Sequence, residues 1–270
     1  MPIQAFTGSK GMIQMKAAFK KNWKHYLQEA SGLGIFMISA CFFGAMLFSE
    51  KSPWFDAIPS FMIKNLLMGL AMGTTALFIF YSPFTAPSGA QINPAVTITF
   101  LRLDKMCRYD AMFFVIFQIL GGTIAVYFMQ RIMGNLLTDA PVNSVVTVPG
   151  KFGITGALLT ELLIAFITMT LVLLTSNNDR LKKYTRLLAG GLVCTWVIVA
   201  GPISGFGMNP ARSFASALPA NVWTAFWIYL IIPFAGMLIA AEFYLLVSRN
   251  NAKHLFKRKN ELLEPLEFLL

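Results

Sequence analysis

The sequence predicts an all-α membrane protein: six transmembrane helices and two re-entrant half-helices, arranged as an inverted repeat. Three observations predict it. The 270-residue chain is 56% hydrophobic and only 13% charged, far too apolar for one soluble domain. Its apolar residues gather in six runs, near 27–48, 61–81, 110–130, 156–176, 186–201 and 223–247. And the pattern Ser-Gly-x-x-x-Asn-Pro-Ala occurs twice, at 88–95 and at 204–211, 116 positions apart.

The elements follow in order. Residues 1–26 read as a basic arm carrying Lys10, Lys16, Lys20, Lys21 and Lys24, with no apolar stretch ahead of the first span. The first span is therefore expected to direct insertion itself. Each run holds roughly 16–25 residues, enough to cross about 30 Å of hydrocarbon at 1.5 Å per residue. The first half has a span that opens near Glu29, a second span, the Asn93 motif, and a third span that holds Gln118 in "FQILGG". The second half has a span that opens near Glu161, another span, the Asn209 motif, and the last span. The membrane body is expected over 27–247, its repeats at about 27–140 and 150–247, with a tail at 248–270. Three spans per half is an odd number, so the halves must run in opposite directions, and such repeats place their site at the midplane between broken helices. Gly69, Gly73, Gly121 and Gly122 are expected to let helices approach closely.

Charge sets the orientation. With six spans, both termini share one side with the connections near 102–108 and 177–186, and that side carries 17 of the 22 lysines and arginines. The positive-inside rule then puts both termini in the cytoplasm. The net charge of +10 is thus a topology signal; its split among four short segments speaks against nucleic acid as a partner. Cys41, Cys107 and Cys194 have no metal-ligand spacing, and His25 and His254 sit in the flanks. Neither a metal site nor a nucleophile–base pair is supported, which disfavours an enzyme.

The repeated motif has a physical reading. Asn is a strong N-cap and Pro is favoured at the first helical position, so short helices start at Asn93 and at Asn209. Each runs about ten residues, or roughly 15 Å, half the hydrocarbon thickness. Their N-termini meet head to head at the midplane. The preceding "SGAQI" and "SGFGM" must descend as non-helical backbone, tolerated there only along a water-filled path or inside protein. If each Asn oxygen caps its own helix, its amide group is left as a donor to the path. The carbonyls of Ser88–Gln91 and Ser204–Gly207 can supply acceptors. Two positive helix ends and Arg212 disfavour a cation, so the pathway suits small uncharged solutes.

Glu29 and Glu161 are costly inside spans. Their expected role is to accept hydrogen bonds from loop N–H groups that no helix satisfies. The alternative is a proton-coupling carboxylate of a transporter, and no membrane-embedded Lys or His partner accompanies them. Gln118 is expected either to steady a loop or to form an interhelix hydrogen bond.

These residues resemble the aquaporin, or major intrinsic protein, family over roughly 25–247. The likeness rests on "SGAQINPAVT", "SGFGMNPARSF", the two glutamates and "FQILGG". It implies a pore in each subunit of a homotetramer, passive flow of water or small neutral solutes, and no cofactor. The boxes are then Asn93, Pro94, Ala95 and Asn209, Pro210, Ala211. The family's selectivity ring maps onto Arg212, Phe206, Val197 and, in the second span, Met72 or Gly73. Ser213, Ala217 and Tyr229 resemble the water-conducting branch, whereas Phe206 and Leu230 resemble the glycerol-conducting one. The expected location is the plasma membrane; the alternatives to a water channel are a glycerol or small-polyol facilitator, an ion-coupled secondary transporter, and a junctional structural protein that keeps the channel fold.

Overall fold

The computed structural model describes the backbone of residues 9–263 and the side chains of residues 11–248. The side chains of Lys10, of His254 and of the segment "ELLEPLEFLL", and the backbone of residues 264–270, therefore lie outside what is described.

Ten α-helices occur among the described residues: α1 Ser9–Phe48, α2 Pro53–Ala57, α3 Phe61–Tyr81, α4 Pro94–Arg102, α5 Arg108–Met133, α6 Asn135–Thr138, α7 Gly153–Ser176, α8 Thr185–Ser204, α9 Pro210–Ala220 and α10 Phe226–Leu263. Six of them, α1, α3, α5, α7, α8 and α10, are long and apolar enough to cross a membrane. The protein is a multi-pass integral membrane protein. The half-helices α4 and α9 hold nine and eleven residues.

Packing repeats across the halves. The most extensive contacts join α1 to α5, α7 to α10, and α3 to α8; α1–α3 matches α7–α8. Each half-helix crosses over, α4 lying against α10 and α9 against α5. Close approach explains two glycines. A Cβ on Gly121 would collide with the Ala30 backbone, and one on Gly236 would come within 2.7 Å of the Leu162 carbonyl. Ala30 and Leu162 each directly follow one of the two buried glutamates, so these contacts fix the depth of both carboxylates.

Helix α1 begins well before the expected span. Tyr26 stacks on Phe113 at 5.0 Å, and Phe19 meets the same ring edge-on at 5.2 Å. Asn22 and Tyr26 both donate to Asp110 Oδ1, at 3.0 and 2.5 Å. The basic arm is therefore, from Ser9 onward, a helix bolted to the start of α5. On the opposite side α2 covers Lys64, whose Nζ lies 3.3 Å from the Phe55 ring centre. Lys51 donates to Asp139 at 2.6 Å between two connections, and that bond holds the Asp139 carboxyl below its usual range. Exposed on both sides, the pair contributes little to stability.

Candidate functional site: two half-helices meeting head to head

The sequence starts α4 and α9 as its local chemistry requires. Asn93 Oδ1 accepts from Ala95 N at 2.9 Å. Asn209 Oδ1 accepts from Ala211 N at 3.1 Å and Arg212 N at 3.2 Å. Pro94 and Pro210 follow at the first helical position.

The asparagines also tie the halves together. Asn93 Nδ2 donates to the Met208 carbonyl at 3.0 Å, and Asn209 Nδ2 donates to the Ile92 carbonyl at 2.6 Å. This corrects the expectation of a wholly free amide: one proton of each is committed to the opposite loop, and one remains.

The descending loops are strained in matching places. Ala90 and Ile92 have φ of 47° and 42°, and Phe206 and Met208 have 50° and 45°. Left-handed backbone is uncommon for such residues, above all for β-branched Ile92. Two buried carboxylates hold it. Glu29 accepts from Ser88 Oγ at 2.7 Å, Gln91 N at 2.9 Å, Ile92 N at 2.6 Å and Gln118 Nε2 at 2.8 Å. Glu161 accepts from Ser204 Oγ at 2.6 Å, Gly207 N at 2.8 Å and Met208 N at 2.5 Å. Gln118 also donates to Thr97 Oγ1 at 3.2 Å, so it joins α5 to both α1 and α4.

Two expectations change. The Ser204 carbonyl accepts from the Tyr229 hydroxyl at 2.7 Å, so it is not a free acceptor on the ramp. Gly73 does not line the path: its missing side chain would sit 2.6 Å from Cys194 Cβ, against α8. Met72 instead lines a cavity together with Val197, Phe206 and Arg212.

Two cavities lie along the path. The one nearer the start of α8, termed inner, holds the helix junction and is lined by Asn93, Asn209, Ala90, Gln91 and Val193, among others. The one nearer the start of α3, termed outer, is lined by Met68, Met72, Val197 and Asn65, among others. Phe36, Phe206 and Arg212 line both, so the constriction lies between them. Arg212 is 8% exposed, and its Nε and Nη1 have no protein partner. Sequence reading missed Phe36 and Asn65. A signal for Phe36 exists: it follows Glu29 by seven residues, two helical turns along the same face.

Residues 16–244 match the family model described as "MIP: Major intrinsic protein". The chain belongs to the major intrinsic protein family. Among its relatives in this family, "Probable aquaporin NIP-type" of Nicotiana alata is 35% identical over 162 residues, covering 59% of this chain and 58% of that one. Aquaporin NIP1-2 of Arabidopsis thaliana is 31% identical over 190 residues, covering 67% and 63%. The matched region thus spans somewhat under two thirds of these relatives. The X-ray structure of the aquaglyceroporin from Plasmodium falciparum has the same fold, with a TM-score of 0.67 at 21% identity, over 82% of this chain and 94% of that one.

Proposed function

We propose that this chain is a passive transmembrane channel for water that also admits small polyols and excludes protons and ions. The observation that carries the reading is the reciprocal pair of bonds, Asn93 to Met208 and Asn209 to Ile92. They bring two helix N-termini together on the wall of the inner cavity, which meets the outer one at Phe36, Phe206 and Arg212. Their positive ends, with the Arg212 guanidinium beyond, repel cations and make a central water accept rather than donate. That orientation breaks a proton relay. Glu29 and Glu161 are each occupied by three or four donors, which supports a loop-holding role over a proton-coupling one. The reading also takes both termini as cytoplasmic, the plasma membrane as host and a homotetramer as the assembly. No cofactor and no catalysis enter.

Polyol passage follows from the constriction. Phe36 and Phe206 give it carbon walls, Met72 and Val197 extend them on the outer side, and Arg212 is its charged donor. A histidine in place of Val197 adds bulk and a polar edge. In reconstituted vesicles at matched density, Val197→His is expected to lower the ratio of glycerol to water flux on the order of tenfold. An unchanged ratio places Val197 away from the constriction. Saturable uptake driven by an ion gradient would favour a secondary transporter instead.

A further inference from the structure

We propose that Asn65 is an outer recognition point that makes this pore take up polyols in preference to solutes polar on every edge, such as urea. The proposal rests on the channel reading above and assigns Asn65 a role in it.

The orientation of Asn65 is enforced by α8. In a regular helix the Ile198 carbonyl accepts from the N–H four residues on. That residue is Pro202, inside α8, and proline has no N–H. Asn65 supplies the missing donor: its Nδ2 lies 2.7 Å from the Ile198 carbonyl oxygen. This bond distinguishes the two ends of the amide. Oδ1 is the end left over, and among the described residues no group donates to it. Gly201 lies beside it: a Cβ there would sit 3.8 Å from Oδ1 and touch nothing else within 4 Å.

Both Asn65 and Arg212 line the outer cavity. Asn65 stands two turns outward of Met72 on α3, or about 10 Å along the axis. A solute entering from that side meets an acceptor first and the Arg212 donors next. Opposite the backbone of Gly201, Pro202 and Gly205, the wall is carbon and sulfur from Phe36, Phe48, Phe61, Met68 and Met72. A hydroxyl is both donor and acceptor, so a polyol can serve Asn65 and Arg212 from one edge while its C–H edge meets the rings. Urea carries N–H groups on two edges, and those turned to the phenylalanines lose their hydrogen bonds.

The test compares glycerol, urea and water flux in vesicles holding the parent, Gly201→Ala or Asn65→Leu. The parent is expected to pass glycerol faster than urea. Gly201→Ala fits without a clash and sets a methyl in van der Waals contact with Oδ1, crowding a donor that approaches it, so the glycerol-to-water ratio falls, by at most about fivefold, the worth of one neutral hydrogen bond. Asn65→Leu lowers the ratio at least as far; should it fail to fold, Gly201→Ala decides alone. Urea passing as readily as glycerol, no glycerol flux, or an unchanged ratio in Gly201→Ala overturns the proposal. A parent with no water flux at all sinks the channel reading itself, a separate and recognisable failure.

Discussion

Replacing Glu161 with leucine is expected to remove most of the folded protein from the membrane. The side chain is fully buried and accepts from Ser204 Oγ, Gly207 N and Met208 N. Leucine fills similar space and accepts nothing. Two backbone donors are then buried without partners, at about 1–3 kcal/mol each, while the Ser204 hydroxyl keeps the Ala200 carbonyl at 3.4 Å. The total, about 2–6 kcal/mol, is a large share of the whole stability of a typical domain. No helix can take over the two N–H groups, because Met208 sits at a φ of 45°. Glu161→Gln should be milder, since it keeps one acceptor oxygen but loses the charge that strengthens these bonds. Monodisperse yield and thermal unfolding in detergent should rank the three proteins parent, glutamine, leucine. A leucine variant with parental yield and melting temperature would show that Glu161 does not hold the loop. Well-folded Glu161→Gln with normal water flow but lost solute coupling would favour a transporter.

The second large effect is expected at Gly121. A single methyl there collides with the carbonyl of Ala30, and it would lie 2.5 Å from the Ala30 carbonyl carbon and 2.6 Å from its Cα. These are backbone atoms, so no side chain can swing aside; α1 and α5 must separate. Ala30 neighbours Glu29, so the separation also draws the carboxylate away from Gln91 and Ile92. Overpacking of this kind costs about 1–3 kcal/mol where neighbours can relax, and backbone relaxes least. Gly121→Ala should therefore lower the melting temperature by several degrees or more. Gly191→Ala is the control, since a Cβ there meets nothing within 4 Å. Equal melting temperatures for Gly121→Ala and Gly191→Ala would contradict the close α1–α5 contact.

Much of this architecture was legible because local rules act within a few residues. Asn followed by Pro starts a helix wherever it falls, so α4 and α9 could be read from the motif alone. Apolar runs of spanning length announced six helices. What could not be read depends on rotation and partnership. Whether Met72 or Gly73 faces the path is a matter of helical phase. The count back from Asn93 passes through a non-helical stretch, where a 3-10 turn at Ala86–Ser88 and a Thr85 hydroxyl bonded to the Ile79 carbonyl take up the slack. The reciprocal amide bonds of Asn93 and Asn209 join residues more than a hundred positions apart, and no spacing rule reports them. Asn65 escaped for the same reason: its meaning lies in a carbonyl orphaned by Pro202 on another helix. The arm before residue 27 looked like loose charge because its lysines hide the Phe19 and Tyr26 that pack on α5.

The central claim is that the two meeting half-helices bound a pore open to water and closed to protons. Stopped-flow light scattering on proteoliposomes loaded with a pH-sensitive dye tests both halves in one sample. Under an osmotic gradient, vesicles with protein should shrink several times faster than empty ones, while a pH gradient of the same vesicles decays no faster than in controls. Shrinkage at the rate of empty vesicles, or conductive proton entry rivalling the water flux, would contradict the account.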